Sequence, residues 1–284
     1  MPRADTDDGK GPDQPATDGP TATAPTVVLL VRHGTTTTTG KELPGRSPGL
    51  HLADSGARQA EDVARRIVAL TAPRQDEPKP NGDAPAPADE ASPDAGDVDP
   101  DAGDRAAPGE ATPGPPGGEH AAPGHEGVAA VYASPLDRTR ETAAPIAAAV
   151  GCEVVVDDGL IELDVGDWTG ILLADAAKRP EWRTIQRYPS GFTFPGGESF
   201  VAMQARMVAT LDAYRRRHPG QTIVAVSHAD PIRALVAHAM GTHLDLFQRV
   251  VVSPCSLTAI ALGDGGPMVL TVNATGDPGP LVPS

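Results

Sequence analysis

Three places in this chain bring reactive or cationic side chains to the end of an apolar run. Residues 26–31, Thr-Val-Val-Leu-Leu-Val, lead directly into Arg32-His33-Gly34. Residues 221–226, Gln-Thr-Ile-Val-Ala-Val, lead into Ser227-His228-Ala229. Residues 128–133 lead into Ser134-Pro135-Leu136-Asp137-Arg138. In an open α/β sheet, ligands bind beyond the carboxyl ends of the strands. If these runs are strands of one sheet, His33 and His228 reach a common rim, with Arg32 beside the first. Arg138 then falls one turn into a helix whose N-terminus faces that rim. Two imidazoles, two guanidiniums and a helix N-terminus share a preference for phosphate. An imidazole next to Arg can attack phosphorus without a metal, so neither a metal nor a cofactor is expected.

The elements that must hold these residues are visible in the apolar pattern. The continuous runs at 26–31, 128–134 and 221–227 read as strands buried on both faces, as in a parallel sheet. After the first, Asp54 or Ser55 is expected to cap a helix with Ala60, Val63, Ala64, Ile67 and Leu70 on its apolar stripe. After the second, Ser134 and Pro135 are expected to cap a helix reaching about Val150, kinked at Pro145. Residues 153–156 suggest a short strand, and 157–198 a long loop with short helical turns. Ser199 opens a helix with Phe200, Met203, Met207, Leu211 and Tyr214 on one face. Another helix is expected from about Asp230 to Met240. Two apolar runs joined by Gly-Asp-Gly-Gly near the C-terminus predict a hairpin. Strand and helix alternate, which predicts an α/β fold: a three-layer α/β/α sandwich around a largely parallel central sheet.

Composition separates this core from its surroundings. The 284 residues include 31 Gly and 31 Pro and carry a formal charge of −15. Residues 1–25 hold −3 of that charge and residues 73–127 hold −10, which leaves −2 on the rest. The 73–127 stretch has 12 Pro, 13 acidic side chains and Val98 as its one branched aliphatic residue. Such a segment cannot bury enough apolar area to offset its ordering entropy. The expected organisation is a disordered tail over 1–25, a catalytic domain over 26–72 and 128–275, a disordered acidic insert over 73–127, and a C-terminal tail over 276–284. An acidic chain is a poor partner for nucleic acid or an anionic membrane. No apolar run approaches a membrane span and the N-terminus lacks a signal-peptide core. Two Cys without a CxxC pattern suggest reduced thiols and a cytoplasmic setting. The sequence carries no signal for an oligomeric state.

The ordered motifs resemble the histidine phosphatase superfamily in its phosphoglycerate-mutase-like branch. Arg32-His33-Gly34-Thr35-Thr36 is similar to that family's RHGxT signature, and Gly45-Arg46 through Ala60 to its next segment. Ser134 through Thr142 is similar to SPLxRAxxT, and Leu160 through Gly170 to LxExxxGxWEG. Pro195-Gly196-Gly197-Glu198-Ser199 and Ser227-His228 complete the series. The resemblance covers about residues 26–72 and 128–263. It implies that His33 is the nucleophile, that Arg32, Arg138 and His228 bind the transferring phosphoryl group, and that Glu162 protonates the leaving oxygen. The family often has Glu, Thr and an Asn where this chain has Thr35, Thr36 and Thr39, so the phosphate contact of that Asn would pass to Thr39. Ala229 stands where Gly is usual. Arg46 is a further candidate for contact with substrate.

Several of these residues have a plainer use. Arg138 can pair with Asp137 or Glu141 on its own helix, and the acids Asp164 and Asp167 can trade roles with Glu162. Arg46 can be an ordinary solvated side chain. His51, His120, His125, His218, His238 and His243 read as surface or packing residues. Trp168 and Trp182 read as packing of the long loop, with Trp182 also a candidate for the substrate entrance, and Cys152 and Cys255 as buried apolar residues. The expected activity is hydrolysis of a small phosphomonoester through a phosphohistidine. Its rivals are a phosphomutase and a catalytically silent phosphate-binding scaffold.

Overall fold

A computed structural model describes residues 24–72 and 127–276. The expected tails and acidic insert, with His120 and His125, lie outside the described residues, apart from a few at their edges. Six strands form one sheet: β1 (Thr26–Arg32), β2 (Ala130–Ala133), β3 (Val154–Val156), β4 (Thr222–Ser227), β5 (Leu257–Gly263) and β6 (Gly266–Ala274). Their spatial order is β3-β2-β4-β1-β5-β6. The β1–β4, β2–β4 and β2–β3 pairings are parallel, and the β5–β6 hairpin adds antiparallel strands beside β1. The sheet is therefore largely parallel around β1 and β4, as expected.

Alternation along the strands sends side chains to two separate cores. Leu29, Val31, Val131, Ala133, Val224 and Val226 face one layer, covered by α1 (Asp54–Thr71) and α2 (Asp137–Val150). Val28, Leu30, Tyr132, Ile223 and Ala225 face the other. That side is covered by α5 (Phe200–Arg217) and α6 (Ala229–Ala239). This is the expected α/β/α sandwich. Residues 157–198 carry only short pieces: α3 (Leu173–Ala176), α4 (Trp182–Arg187) and three 3-10 turns. They close over a core of their own, in which Trp168 and Phe194 pack on Phe200, Met203 and Phe247. Trp182 packs against that core from its half-buried position.

The α5 stripe is as expected: Phe200, Met203, Met207, Leu211 and Tyr214 are its buried residues. Ser199 caps it, its hydroxyl accepting from the Ala202 N–H. Three local expectations fail. Neither Asp54 nor Ser55 caps α1; the cap position is Ala53, whose N–H donates to the Thr35 carbonyl. Tertiary pairing with the loop after β1 takes the place of a side-chain cap. Leu70 is 65% exposed because the last turn of α1 runs past the edge of the core. Ser134 and Pro135 do not start α2 either: the helix begins at Asp137 after Leu136, and Pro145 lies within it. Cys255 is buried, and burial pushes its thiol up to about 12; Cys152 is half-buried.

Candidate active site

The sheet register brings the two strand-end histidines together. Arg32 on β1 lies opposite Ser227 on β4, so His33 and His228 leave adjacent strands at the same level. Their ring centroids are 5.2 Å apart. The loop after β1 has no room for a side chain at Gly34: a Cβ there would stand 2.6 Å from the Gly56 carbonyl oxygen at the start of α1. The Gly34 N–H donates to Thr142 Oγ1 on α2, at 3.0 Å. Two helices thus fix the backbone that carries His33.

His33 Nδ1 lies 2.8 Å from the Gly34 carbonyl oxygen. A carbonyl only accepts, so Nδ1 bears the proton and Nε2 keeps its lone pair. Burial, with Arg138 and Arg32 beside it, depresses the imidazolium to about 3. His33 is thus neutral at physiological pH. His228 is fully buried, with Nε2 2.8 Å from the Ser134 hydroxyl. Burial first, then Arg138, holds its protonation far below the ordinary range. Ser134 is therefore a partner of the second histidine, which explains why it is absent from the cap of α2.

The cations around these rings have donors to spare. Arg138 is fully buried and gives one Nη2–H to the Gly45 carbonyl at 2.8 Å, while its Nε and Nη1 have no protein partner. It pairs with neither Asp137 nor Glu141: those carboxylates accept from Gly49 N, Leu52 N and the His51 ring. Arg32 Nη1 donates to the Val252 carbonyl at 2.7 Å, and its Nε is buried without a partner. His228 Nδ1 is likewise unpartnered. Burial lowers the proton affinity of both guanidiniums, yet a guanidinium stays charged. Buried guanidinium donors without acceptors are costly, and a dianionic phosphoryl group would accept from them.

Glu162 completes the cluster. Its Oε2 is 3.6 Å from His228 Nδ1, and its Oε1 accepts from the Leu163 N–H at 2.9 Å. Burial and then nearby Asp230 push its carboxyl up to about 7, against the pull of Arg138 and Arg32. Asp164 instead accepts from the Gly166 N–H and meets Arg46, which separates its part from that of Glu162.

Two candidates are differently engaged. The Thr39 hydroxyl is held in its own turn, accepting from the Thr36 N–H at 2.9 Å with the Thr36 hydroxyl 3.0 Å away. Arg46 donates to the Glu162 carbonyl at 2.9 Å and to Glu198 Oε2 at 2.8 Å, and lies 3.5 Å from Asp164. Thr142, the last residue of the Ser134–Thr142 motif, joins the site, as do Asp230 and Arg206, which no motif marked. Arg206 sits on α5 and reaches back to the Glu162 segment. Of the remaining histidines, His51 pairs with Glu141 at the surface and His218 with the Tyr132 hydroxyl, and His238 and His243 are exposed. Among the described residues no three His, Cys, Asp or Glu side chains are grouped to hold a metal ion.

The sequence is 35% identical to phosphoserine phosphatase 1 of Hydrogenobacter thermophilus, over 49% of this chain and 67% of that protein. It is 38% identical to the bifunctional protein Rv2228c of Mycobacterium tuberculosis, over 46% of this chain but only 36% of that protein's length. A crystal structure of a phosphoserine phosphatase mutant from Entamoeba histolytica, in complex with phosphoserine, shares the fold. Its TM-score is 0.62 at 19% identity, over 88% of this chain and 98% of that one. The family model for the histidine phosphatase superfamily (branch 1) matches residues 119–275. That match spans more than half of the sequence, and the chain therefore belongs to the histidine phosphatase superfamily.

Proposed function

We propose that this protein hydrolyses small phosphomonoesters through a phosphohistidine on His33, with Glu162 as the general acid. One observation carries the reading: a neutral imidazole, with its Nε2 lone pair free, stands among buried guanidinium donors that have no protein acceptor. The reaction would run in two steps. His33 Nε2 attacks phosphorus, the P–O bond to the leaving group breaks, and the Glu162 proton passes to the departing oxygen. Water then attacks the phosphohistidine and gives its proton to Glu162, and the P–N bond breaks to return neutral His33. The Gly34 carbonyl, accepting from Nδ1–H, steadies the positive charge that develops on the ring.

Arg32, Arg138 and His228 Nδ1–H would hold the three equatorial oxygens, where charge spreads in phosphoryl transfer. One preorganised donor of this kind is worth ~10²–10³ in rate. A carboxyl near 7 suits a group that must donate in the first step and accept in the second. Thr39 would be a peripheral contact, and residues 157–198 would select the leaving group. The domain would comprise the described residues, with the acidic 73–127 stretch as an insert outside the chemistry. Among the described residues no helix is long and apolar enough to cross a membrane.

The deciding experiment is rapid quench with labelled substrate. Wild-type protein should carry an acid-labile, base-stable label, and His33→Ala should lose both label and turnover. Wild-type turnover in His33→Ala would refute the reading.

A further inference from the structure

Glu162 sits on a segment that belongs to no strand or long helix, although the Ser227 hydroxyl at the end of β4 donates to the Leu160 carbonyl at 2.7 Å. A single 3-10 turn, Asp158–Leu160, precedes it, and the chain beyond is irregular until Gly166. Its backbone is gripped from outside instead. Arg206 Nη1 donates to the Gly159 and Ile161 carbonyls, both at 2.9 Å. Arg46 Nε donates to the carbonyl of Glu162 itself. Two guanidiniums thus take the carbonyls of residues 159, 161 and 162.

One carboxylate joins the two guanidiniums. Glu198 Oε2 accepts from Arg46 Nη2 at 2.8 Å and from Arg206 Nη2 at 3.1 Å, and Oε1 accepts from Arg206 Nε at 3.2 Å. Glu198 also pairs with Asp164 through the backbone, its N–H donating to the Asp164 carbonyl at 2.8 Å. The Glu198 side chain is only 14% exposed, so its charge is well placed to offset two neighbouring cations. Without it, Arg46 and Arg206 would repel each other across the segment they hold.

We propose that Arg46, Glu198 and Arg206 form a clamp that positions the Glu162 carboxyl for proton delivery to the leaving oxygen. The clamp rests on the general-acid reading of Glu162. It makes Arg46 a positioning residue that acts through the Glu162 backbone rather than a ligand of the substrate. A displacement of about 1 Å at a reacting group can cost ~10²-fold in rate, and the loss cannot exceed what the acid itself supplies, ~10²–10⁴.

The test compares glycerol phosphate, whose alkoxide needs a proton, with p-nitrophenyl phosphate, whose leaving group does not. Glu198→Gln, Arg206→Lys and Arg46→Lys are made in the full chain, each alone and combined with Glu162→Gln. Each single variant should lower kcat/KM on glycerol phosphate by roughly 10- to 100-fold. On p-nitrophenyl phosphate kcat/KM, which reports only the steps up to the phosphohistidine, should be nearly unaffected. Each double variant should be no slower on glycerol phosphate than Glu162→Gln alone, since residues acting as one unit are not additive. A selective loss in Glu162→Gln without one in the clamp variants would overturn the clamp while sparing the acid. So would additive losses in the doubles, or a KM increase on both substrates in Arg46→Lys, which would return Arg46 to the substrate. Equal losses of kcat/KM on both substrates in Glu162→Gln would overturn the acid and the clamp together. Should Glu198→Gln fail to fold, Arg46→Lys tests the same claim from the more exposed arm.

Discussion

Replacing Glu162 by Gln should make the protein more stable and less active, by amounts that depend on pH. The carboxyl is raised from 4.5 to about 7, chiefly by burial. At ~1.4 kcal/mol for each pH unit, holding it ionised in the folded state costs about 3 kcal/mol. The sign follows from linkage. Below pH 4.5 the group is protonated in both folded and unfolded chains, and nothing is lost. Between 4.5 and 7 the unfolded chain releases the proton while the folded one retains it, so stability falls. Above 7 the deficit is complete. Gln cannot ionise, and it keeps an oxygen to accept from the Leu163 N–H. The stability gap between Glu162→Gln and wild type should therefore grow from a few tenths of a kcal/mol at pH 4.5 to ~3 kcal/mol at pH 8. Urea unfolding of both proteins at several pH values measures it directly. Over the same range, kcat/KM on glycerol phosphate should drop by ~10²–10⁴ in the variant, and much less on p-nitrophenyl phosphate. Asp164→Asn should lack the difference between the two substrates. Unfolding curves that stay parallel from pH 4.5 to 8 would refute the assignment of a buried, proton-holding carboxyl.

Turnover is expected to persist in excess chelator, because the described residues offer cations rather than a cluster of metal ligands; activity lost in chelator and restored by a divalent ion would count against the site as drawn. Deleting residues 73–126 and closing the gap with a short flexible linker should leave kcat and the unfolding midpoint almost unchanged. The flanking backbones already touch, since a methyl on Gly127 would overlap the Thr71 carbonyl; loss of cooperative unfolding in the deletion would contradict this.

Much of the site was legible because strand ends are places where sequence and topology coincide. An apolar run followed at once by His predicts both the strand and the rim, and His33 and His228 need only a parallel neighbour relation to meet. The α5 stripe was equally plain, since five apolar residues at helical spacing permit one buried face. Caps were not legible where tertiary partners outbid local ones. Ser134 has the right chemistry to cap a helix, yet its hydroxyl belongs to His228, and Ala53 stands at the α1 cap with its N–H held by the Thr35 carbonyl and no side-chain cap bond. The grip of Arg46, Glu198 and Arg206 leaves no trace in periodicity. Its members lie on a loop, a turn and a helix, and only folding makes them neighbours. The depressed His33 and the elevated Glu162 likewise depend on burial and on charges brought from distant parts of the chain.

The position of β1 has a consequence for how the molecule comes into being. Both of its neighbours, β4 and β5, are encoded far downstream, with Thr222 roughly 190 residues after Arg32. At ~5–20 residues per second, a ribosome needs on the order of 10–40 s to supply that partner. Throughout that interval the most apolar strand of the sheet has two open edges and no lasting place to go. The helices that follow it can form early, but the strand that carries His33 is among the last to be secured. Ribosome stalling shortly before β4 should therefore yield the species most prone to aggregate.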